Sequence, residues 1–257
     1  MFKNIYKLFC KFYSLISSAL ENFFLKIKED YEISETSISK YGYQKIKLEN
    51  KIIDKIVEEL EIKNNKYITR VVIEKNNLNR ILERIFIDLK LSEQITKITK
   101  FKYSIDYITY YKNISISNQD KHKEWYANHW HKDQPFSENS LKIIFSMKKL
   151  DKISHGGIQI LDKVNSKFFH SLSNEKKHSL SYKMIADDYE LIIFNPNLCF
   201  HKAGLIQGEY VREQIMIQLN PANYWQLNSN IYKKQYKIEP KFPFFSYFFD
   251  KKIRLIK

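Results

Sequence analysis

The sequence predicts a mainly β domain, a sandwich or barrel of antiparallel strands preceded by helices, and three observations carry that expectation. Near Ile98 the apolar spacing changes from helical to alternating, with Phe101, Tyr103, Ile105 and Tyr107 interleaved with polar residues. The runs LKIIFSMKKL, GGIQIL, HSLSYKMI, ELIIFN, CFHKAG and REQIMIQLN then follow without intervening helical patterns, separated by turn-prone pairs such as Asn195-Pro196. Four of the five glycines fall between Gly156 and Gly208. Gly204 stands three residues after His201 and Gly208 four before Arg212, as a tight turn between two strands requires.

The elements before Ile98 read as helices. Phe2, Ile5, Phe9, Phe12, Ile16, Leu20 and Phe23 recur at helical spacing and mark an amphipathic helix. Such a helix either packs on its own domain or lies on a membrane surface. The aromatic, basic C-terminal KFPFFSYFFDKKIRLIK keeps the second reading open. Asn50 is placed to cap a helix through Ile52, Ile53, Ile56, Val57 and Leu60. A further helix carries Leu78, Ile81, Leu82, Ile85, Phe86 and Leu89 on one face. Neither a repeat nor a low-complexity linker interrupts the chain. The expected organisation is therefore a helical region over 1–97 packed on a β core over 98–221, followed by a basic aromatic tail over 222–257.

Composition limits what such a domain does. The 257 residues, 44% hydrophobic and 15% aromatic, supply the core of one large domain. Two cysteines, Cys10 and Cys199, exclude a disulfide framework and a thiolate cluster, and fit a reducing, cytoplasmic compartment. Lys7, Lys11 and Glu21 break up the N-terminal apolar stretch, so neither a bilayer span nor a secretory signal is expected, which leaves peripheral membrane contact as the alternative. A formal net charge of +14 attracts anionic partners, although abundant lysine, isoleucine and asparagine also follow from AT-rich coding. With 18 tyrosines and 18 phenylalanines, stacking on single-stranded nucleic acid is the non-enzymatic alternative. The aromatics fall mostly at core-like periods, however, and no nucleic-acid motif accompanies them.

The residues that carry chemistry begin in YANHWHKDQPF. His131 and Asp133 are two apart, so on an extended strand their side chains project from one face and can converge on one ion. His201, where the apolar run LIIFNPNLCF reaches a turn, is the candidate third ligand. Eleven residues later Arg212 opens the apolar-rich REQIMIQL, the only arginine between Arg84 and Arg254. Two histidines and one carboxylate leave three adjacent positions open on octahedral iron(II), two for the keto acid end of 2-oxoglutarate and one for dioxygen. The far carboxylate of that co-substrate needs a planar, permanently charged, bidentate partner, which arginine supplies better than lysine.

On the segments HWHKDQP, HGGIQIL and FHKAGLIQGEYVREQIMIQL the chain resembles the phytanoyl-CoA dioxygenase family of iron(II)- and 2-oxoglutarate-dependent oxygenases, over roughly residues 98–221. The resemblance implies a double-stranded β-helix, or jelly roll, as the catalytic core. It implies His131, Asp133 and His201 as iron(II) ligands and Arg212 as the clamp for 2-oxoglutarate. It further implies oxidation of a substrate carbon coupled to conversion of 2-oxoglutarate to succinate. Hydroxylation is expected rather than chlorination, because Asp133 occupies the position a halide needs; desaturation or ring chemistry stays open. Where the family often has serine or threonine two residues after the second histidine, this chain has Ala203, so a hydroxyl from Tyr103, Tyr107 or Tyr110 is a candidate substitute. Asn128, Trp130, Gln134 and Gln159 are candidates to line the site of a small-molecule, lipid or glycan-linked substrate.

Two metal-site alternatives use another histidine. His129 makes the string His-X-His-X-Asp, as in zinc hydrolases of the metallo-β-lactamase kind, but Gln134 stands where those enzymes have a further histidine. A cupin reading would add Glu138 at loose spacing. Both require the His129 ring as a ligand, and the oxygenase reading does not.

Overall fold

The computed structural model describes residues 2–28, 36–53, 55–133, 137–187, 189–236 and 250–255. The helices are α1 (Phe2–Phe24), α2 (Ser37–Tyr41), α3 (Lys75–Glu83), α4 (Leu91–Thr99), α5 (Lys163–Lys167), α6 (Asn174–Leu180) and α7 (Ile231–Lys234). The first strands are β1 (Tyr43–Lys47), β2 (Glu58–Asn65), β3 (Ile68–Ile73), β4 (Lys102–Asn113), β5 (Leu141–Ser146) and β6 (Gln159–Ile160). After them come β7 (Tyr182–Lys183), β8 (Glu190–Phe194), β9 (His201–Lys202), β10 (Arg212–Ala222), β11 (Gln226–Asn228) and β12 (Lys252–Arg254).

These strands form the two facing sheets of a jelly roll. The large sheet runs β1-β8-β5-β10-β4-β11-β12, with the β2–β3 hairpin paired to β4 through β3; the small sheet runs β7-β6-β9. An antiparallel bridge between His131 and His201 extends the small sheet beyond β9. Each face of the large sheet meets a different partner. Ile143 and Phe145 of β5, Leu191 and Ile193 of β8, and Ile215 and Ile217 of β10 share one core with Leu78, Leu82, Leu91 and Ile95 from α3 and α4. The alternate residues Ile144, Ile192, Phe194 and Met216 pack with Ile160 and Cys199 in the space between the sheets. Burial on both faces explains why LKIIFS and ELIIF read as nearly continuous apolar runs.

Two expectations differ from the structure. The helix expected from Asn50 to Leu60 is not formed: the described residues of 50–57 are irregular and Glu58–Asn65 is strand β2. The β-branched Ile52, Ile53, Ile56 and Val57 restrict χ1 and disfavour helix. Ile52 and Ile53 are buried individually, while the Val57 amide donates to Asn77 Oδ1 at 2.8 Å, tying the segment to α3. The strand expected in HSLSYKMI is reduced to Tyr182–Lys183, because Ser173 accepts from the Lys176 amide at 3.2 Å and caps α6. Residues 237–249 and 256–257 of the expected C-terminal tail lie outside the described residues.

Glycine is required where β6 begins. A Cβ on Gly157 would stand 2.2 Å from the Met184 carbonyl oxygen, and one on Gly204 2.5 Å from the Gly157 carbonyl oxygen. Backbone meets backbone at both positions, so neither contact relaxes by a rotamer change. Gly157→Ala is expected to lower stability by about 3 kcal/mol, read as a reduced urea midpoint at constant slope.

Candidate metal centre

Strand alternation and one cross-strand bridge assemble the centre. The His131 amide donates to the His201 carbonyl at 3.0 Å and the His201 amide to the His131 carbonyl at 2.9 Å, which holds the two histidines side by side. Asp133, two residues on, donates its amide to the Pro196 carbonyl at 2.9 Å. One ligand-type atom from each of His131, Asp133 and His201 then lies within 4.8 Å of the others. Asp133 Oδ1 is 3.7 Å from His131 Nε2 and 3.8 Å from His201 Nε2.

Backbone carbonyls set the tautomer of both rings. His131 Nδ1 lies 2.9 Å from the His129 carbonyl oxygen, and His201 Nδ1 3.0 Å from that of Cys199. A proton on each Nδ1 satisfies both contacts and leaves each Nε2 lone pair pointing at the shared space. Burial pushes His201 down to about 3, against the opposing pull of Asp133, so the imidazole is neutral and able to ligate.

The carboxylate is divided between two tasks. Its Oδ2 accepts an ion pair from Lys142 Nζ, on a β5 side chain only 8% exposed, while Oδ1 faces the imidazoles. Burial raises the Asp133 carboxyl, but Lys142 with His201 and His131 outweighs it and holds the group below the usual carboxylate range. Two imidazole nitrogen donors and one carboxylate oxygen donor are a donor set suited to a divalent transition metal.

Arg212 sits at the other end of the same interior. Alternation along β10 from the inward Met216 places Gln214 and Arg212 on the inner face, and register puts Asn113 of β4 opposite Arg212. Nη1 donates to the Gly156 carbonyl and, at 3.1 Å, to that of Gly204; Nη2 donates to Asn113 Oδ1 at 3.1 Å. The guanidinium also stacks 5.1 Å over Tyr126. Its Nε is buried without a hydrogen-bond partner, and no carboxylate among the described residues pairs with it. Burial accordingly lowers the guanidinium to about 10. The unused edge, Nε with the second Nη2 hydrogen, is the bidentate face that fits a carboxylate. Both the donor set and this edge fit an iron(II) site with a dicarboxylic co-substrate.

Several other residues singled out in the sequence lie away from the centre. The His129 ring is exposed and outside the ligand group, its backbone carbonyl serving His131 instead. Asn128 is buried, but its amide accepts from Trp125 and Tyr126 and donates to the Lys123 carbonyl, so its polar atoms shape a loop. Trp130 alternates with His131 and meets Phe169 and Lys202 on the far side of the small sheet. Gln159, paired with Lys202 and adjacent to the inward Ile160, shares that far side. Gln134 lies outside the described residues. Of the three tyrosines, Tyr103 and Tyr110 belong to the helix-side core, whereas Tyr107 pairs with Gln218 on the inner face beside Lys142. Cys199 packs between the sheets against Gly42, and burial raises its thiol to about 12, so it stays protonated. Sequence reasoning missed Lys142, Asn113 and Tyr126. A signal existed for Lys142, since a lysine inside the apolar run LKIIFS has to be buried with a counter-charge.

Similar architectures occur among solved structures. EctD from S. alaskensis with bound Fe superposes with a TM-score of 0.50 at 11% identity, covering 76% of this chain and 80% of that one. The two share a fold. SnoN, an alpha ketoglutarate dependent epimerase from nogalamycin biosynthesis, gives 0.47 at 10% identity over 72% and 80% of the chains. HygX from Streptomyces hygroscopicus, with nickel and 2-oxoglutarate bound, gives 0.46 at 7% identity over 73% and 85%. No protein-family model and no curated protein matches the sequence.

Proposed function

We propose that this chain is an iron(II)- and 2-oxoglutarate-dependent oxygenase whose catalytic core spans residues 98–221. The observation that carries the proposal is the approach of His131 Nε2, His201 Nε2 and Asp133 Oδ1 to one another inside a jelly roll. EctD, on the same fold, is described with bound Fe, the metal assigned here.

In this reading the two imidazoles present Nε2 to the metal, because Nδ1 of each faces a backbone carbonyl. Asp133 presents Oδ1, with Lys142 holding Oδ2 and turning the carboxylate. Arg212, held in register by Gly156, Gly204 and Asn113, would hold the far carboxylate of 2-oxoglutarate. Ile144, Ile192, Phe194 and Met216 keep the space between the sheets apolar and restrict water there. Bound iron(II) would activate dioxygen, the oxidant, which takes two electrons from the decarboxylation of 2-oxoglutarate to succinate and carbon dioxide and two from a substrate C–H bond that becomes C–OH. Within this class we assign hydroxylation and a phytanoyl-CoA dioxygenase-like relationship, on the segments HWHKDQP, HGGIQIL and FHKAGLIQGEYVREQIMIQL. The substrate is a small, lipid or glycan-linked molecule, and no nucleic acid is invoked.

Anaerobic calorimetry tests the reading. One equivalent of iron(II) should bind per chain, and 2-oxoglutarate should bind only after the metal. His129→Ala should change iron affinity by less than about twofold, since only its backbone carbonyl is used. Zinc binding that disappears in His129→Ala would replace the oxygenase with the hydrolase reading.

A further inference from the structure

Helix α1 is mounted with its polar side inward. Cys10, Ser14, Ser17, Ser18 and Glu21 are buried, whereas Leu8, Phe9, Phe12, Leu15, Leu20 and Phe23 face outward, Leu8 and Phe23 being 69% and 67% exposed. The inward side is tied to the domain by specific hydrogen bonds. Asn197 Nδ2 donates to Ser14 Oγ, the Glu138 amide to Ser18 Oγ at 2.8 Å, and Asn139 Nδ2 to Glu21 Oε2 at 3.1 Å. A helix that packs on its own domain normally buries its apolar stripe and exposes its polar one. This helix does the reverse over 23 residues, about 35 Å of length.

We propose that α1 docks the protein on an anionic membrane surface, lying in the interface with its apolar face in the lipid. Charge complementarity selects this occupant. Glu21, the helix's one carboxylate, is turned inward onto Asn139, so the outward face carries no negative side chain. Lys11, Lys26 and Lys28 are exposed on or just beyond the helix, on a chain of net charge +14. Aromatic and aliphatic side chains with flanking lysines are the composition that binds anionic lipid in the headgroup plane. No described helix is long and apolar enough to cross a bilayer, so α1 lies on the surface.

The mounting also engages two segments near the candidate centre in the chain. Glu138 and Asn139 follow the Asp133 segment, and Asn197 lies between Pro196, which accepts the Asp133 amide, and His201. The helix is thus tied to the segments that follow Asp133 and precede His201. The docking inference is independent of the oxygenase reading, because vesicle binding is measured without metal or turnover.

The test is co-sedimentation of the full chain with vesicles of phosphatidylcholine containing phosphatidylglycerol, against vesicles of phosphatidylcholine alone. Binding is expected to the anionic vesicles, to fall with added salt, and to drop at least about tenfold in the triple variant Leu8→Glu, Phe12→Glu, Leu20→Glu. The replaced side chains are exposed, so the variant should keep its circular dichroism and melting temperature. Equal binding to both vesicle types would overturn the charge argument. A lowered melting temperature in the triple variant would show the face to be covered within the fold. A solution dimer that this variant dissolves, without vesicle binding by the parent, would assign the face to a second copy. Either result would overturn membrane docking.

Discussion

Asp133→Ala is expected to abolish tight iron(II) binding and, in the same protein, to lower the stability of the metal-free fold by about 3–5 kcal/mol. The two losses have separate causes. Metal binding is lost because Asp133 Oδ1 is the single ionised donor of the His131, Asp133, His201 group. Stability is lost because Asp133 Oδ2 pairs with Lys142, whose side chain is 8% exposed near the start of β5, so that truncating the carboxylate removes a buried ion pair from the space between the sheets. The double variant Asp133→Ala, Lys142→Met separates them: it should regain most of the lost stability, since a flexible apolar side chain replaces the buried ammonium, and it should still fail to bind iron. Urea denaturation and metal titration on both variants make the measurement. If the single variant is as stable as the parent, Lys142 does not depend on Asp133 and the divided-carboxylate description is wrong.

Arg212→Lys should raise the 2-oxoglutarate concentration needed for half-saturation by about 10- to 100-fold, about 1.4–2.8 kcal/mol, while changing iron affinity less than about twofold. The guanidinium already donates to Gly156, Gly204 and Asn113 and offers a further parallel pair of N–H groups through Nε. A lysine ammonium has three donors converging on one atom and cannot hold the glycine carbonyls and a carboxylate in the same plane. Calorimetry with 2-oxoglutarate on the iron-loaded variant reads the effect. An unchanged affinity would show that the carboxylate is held by another residue, with the inward Tyr107 the first to examine.

Part of the candidate centre is legible in the sequence, for a local reason. Residues two apart on an extended strand share a face whatever surrounds them, so His131 and Asp133 announced a common direction. The glycine-bearing segment was read as a tight turn between paired strands, but it crosses between the sheets, with His201 on β9 of the small sheet and Arg212 on β10 of the large one. The alternation after Ile98 and the run of short strands foretold a sandwich or barrel of antiparallel strands. The same local reasoning failed where burial overrode periodicity. Between Asn50 and Leu60 the apolar spacing suits a helix, yet the β-branched residues are buried one by one in an irregular segment that leads into β2.

What the sequence determined by itself was the pattern: which residue types recur, at what period, and hence which side chains share a face. Tertiary structure decided which partner each face meets. Lys142 became the counter-ion of Asp133 only because β5 lies between β8 and β10 in one particular register. Gln159 and Trp130 went to the far side of the small sheet by the same rule that brought His201 inward. The amphipathic character of α1 was plain in its sequence, but not that Ser14, Ser18 and Glu21 would face the domain. Their partners Asn197, Glu138 and Asn139 stand more than a hundred residues away. Backbone geometry fixes directions over a few residues, whereas contacts across such distances depend on strand register and sheet packing, which no local window contains.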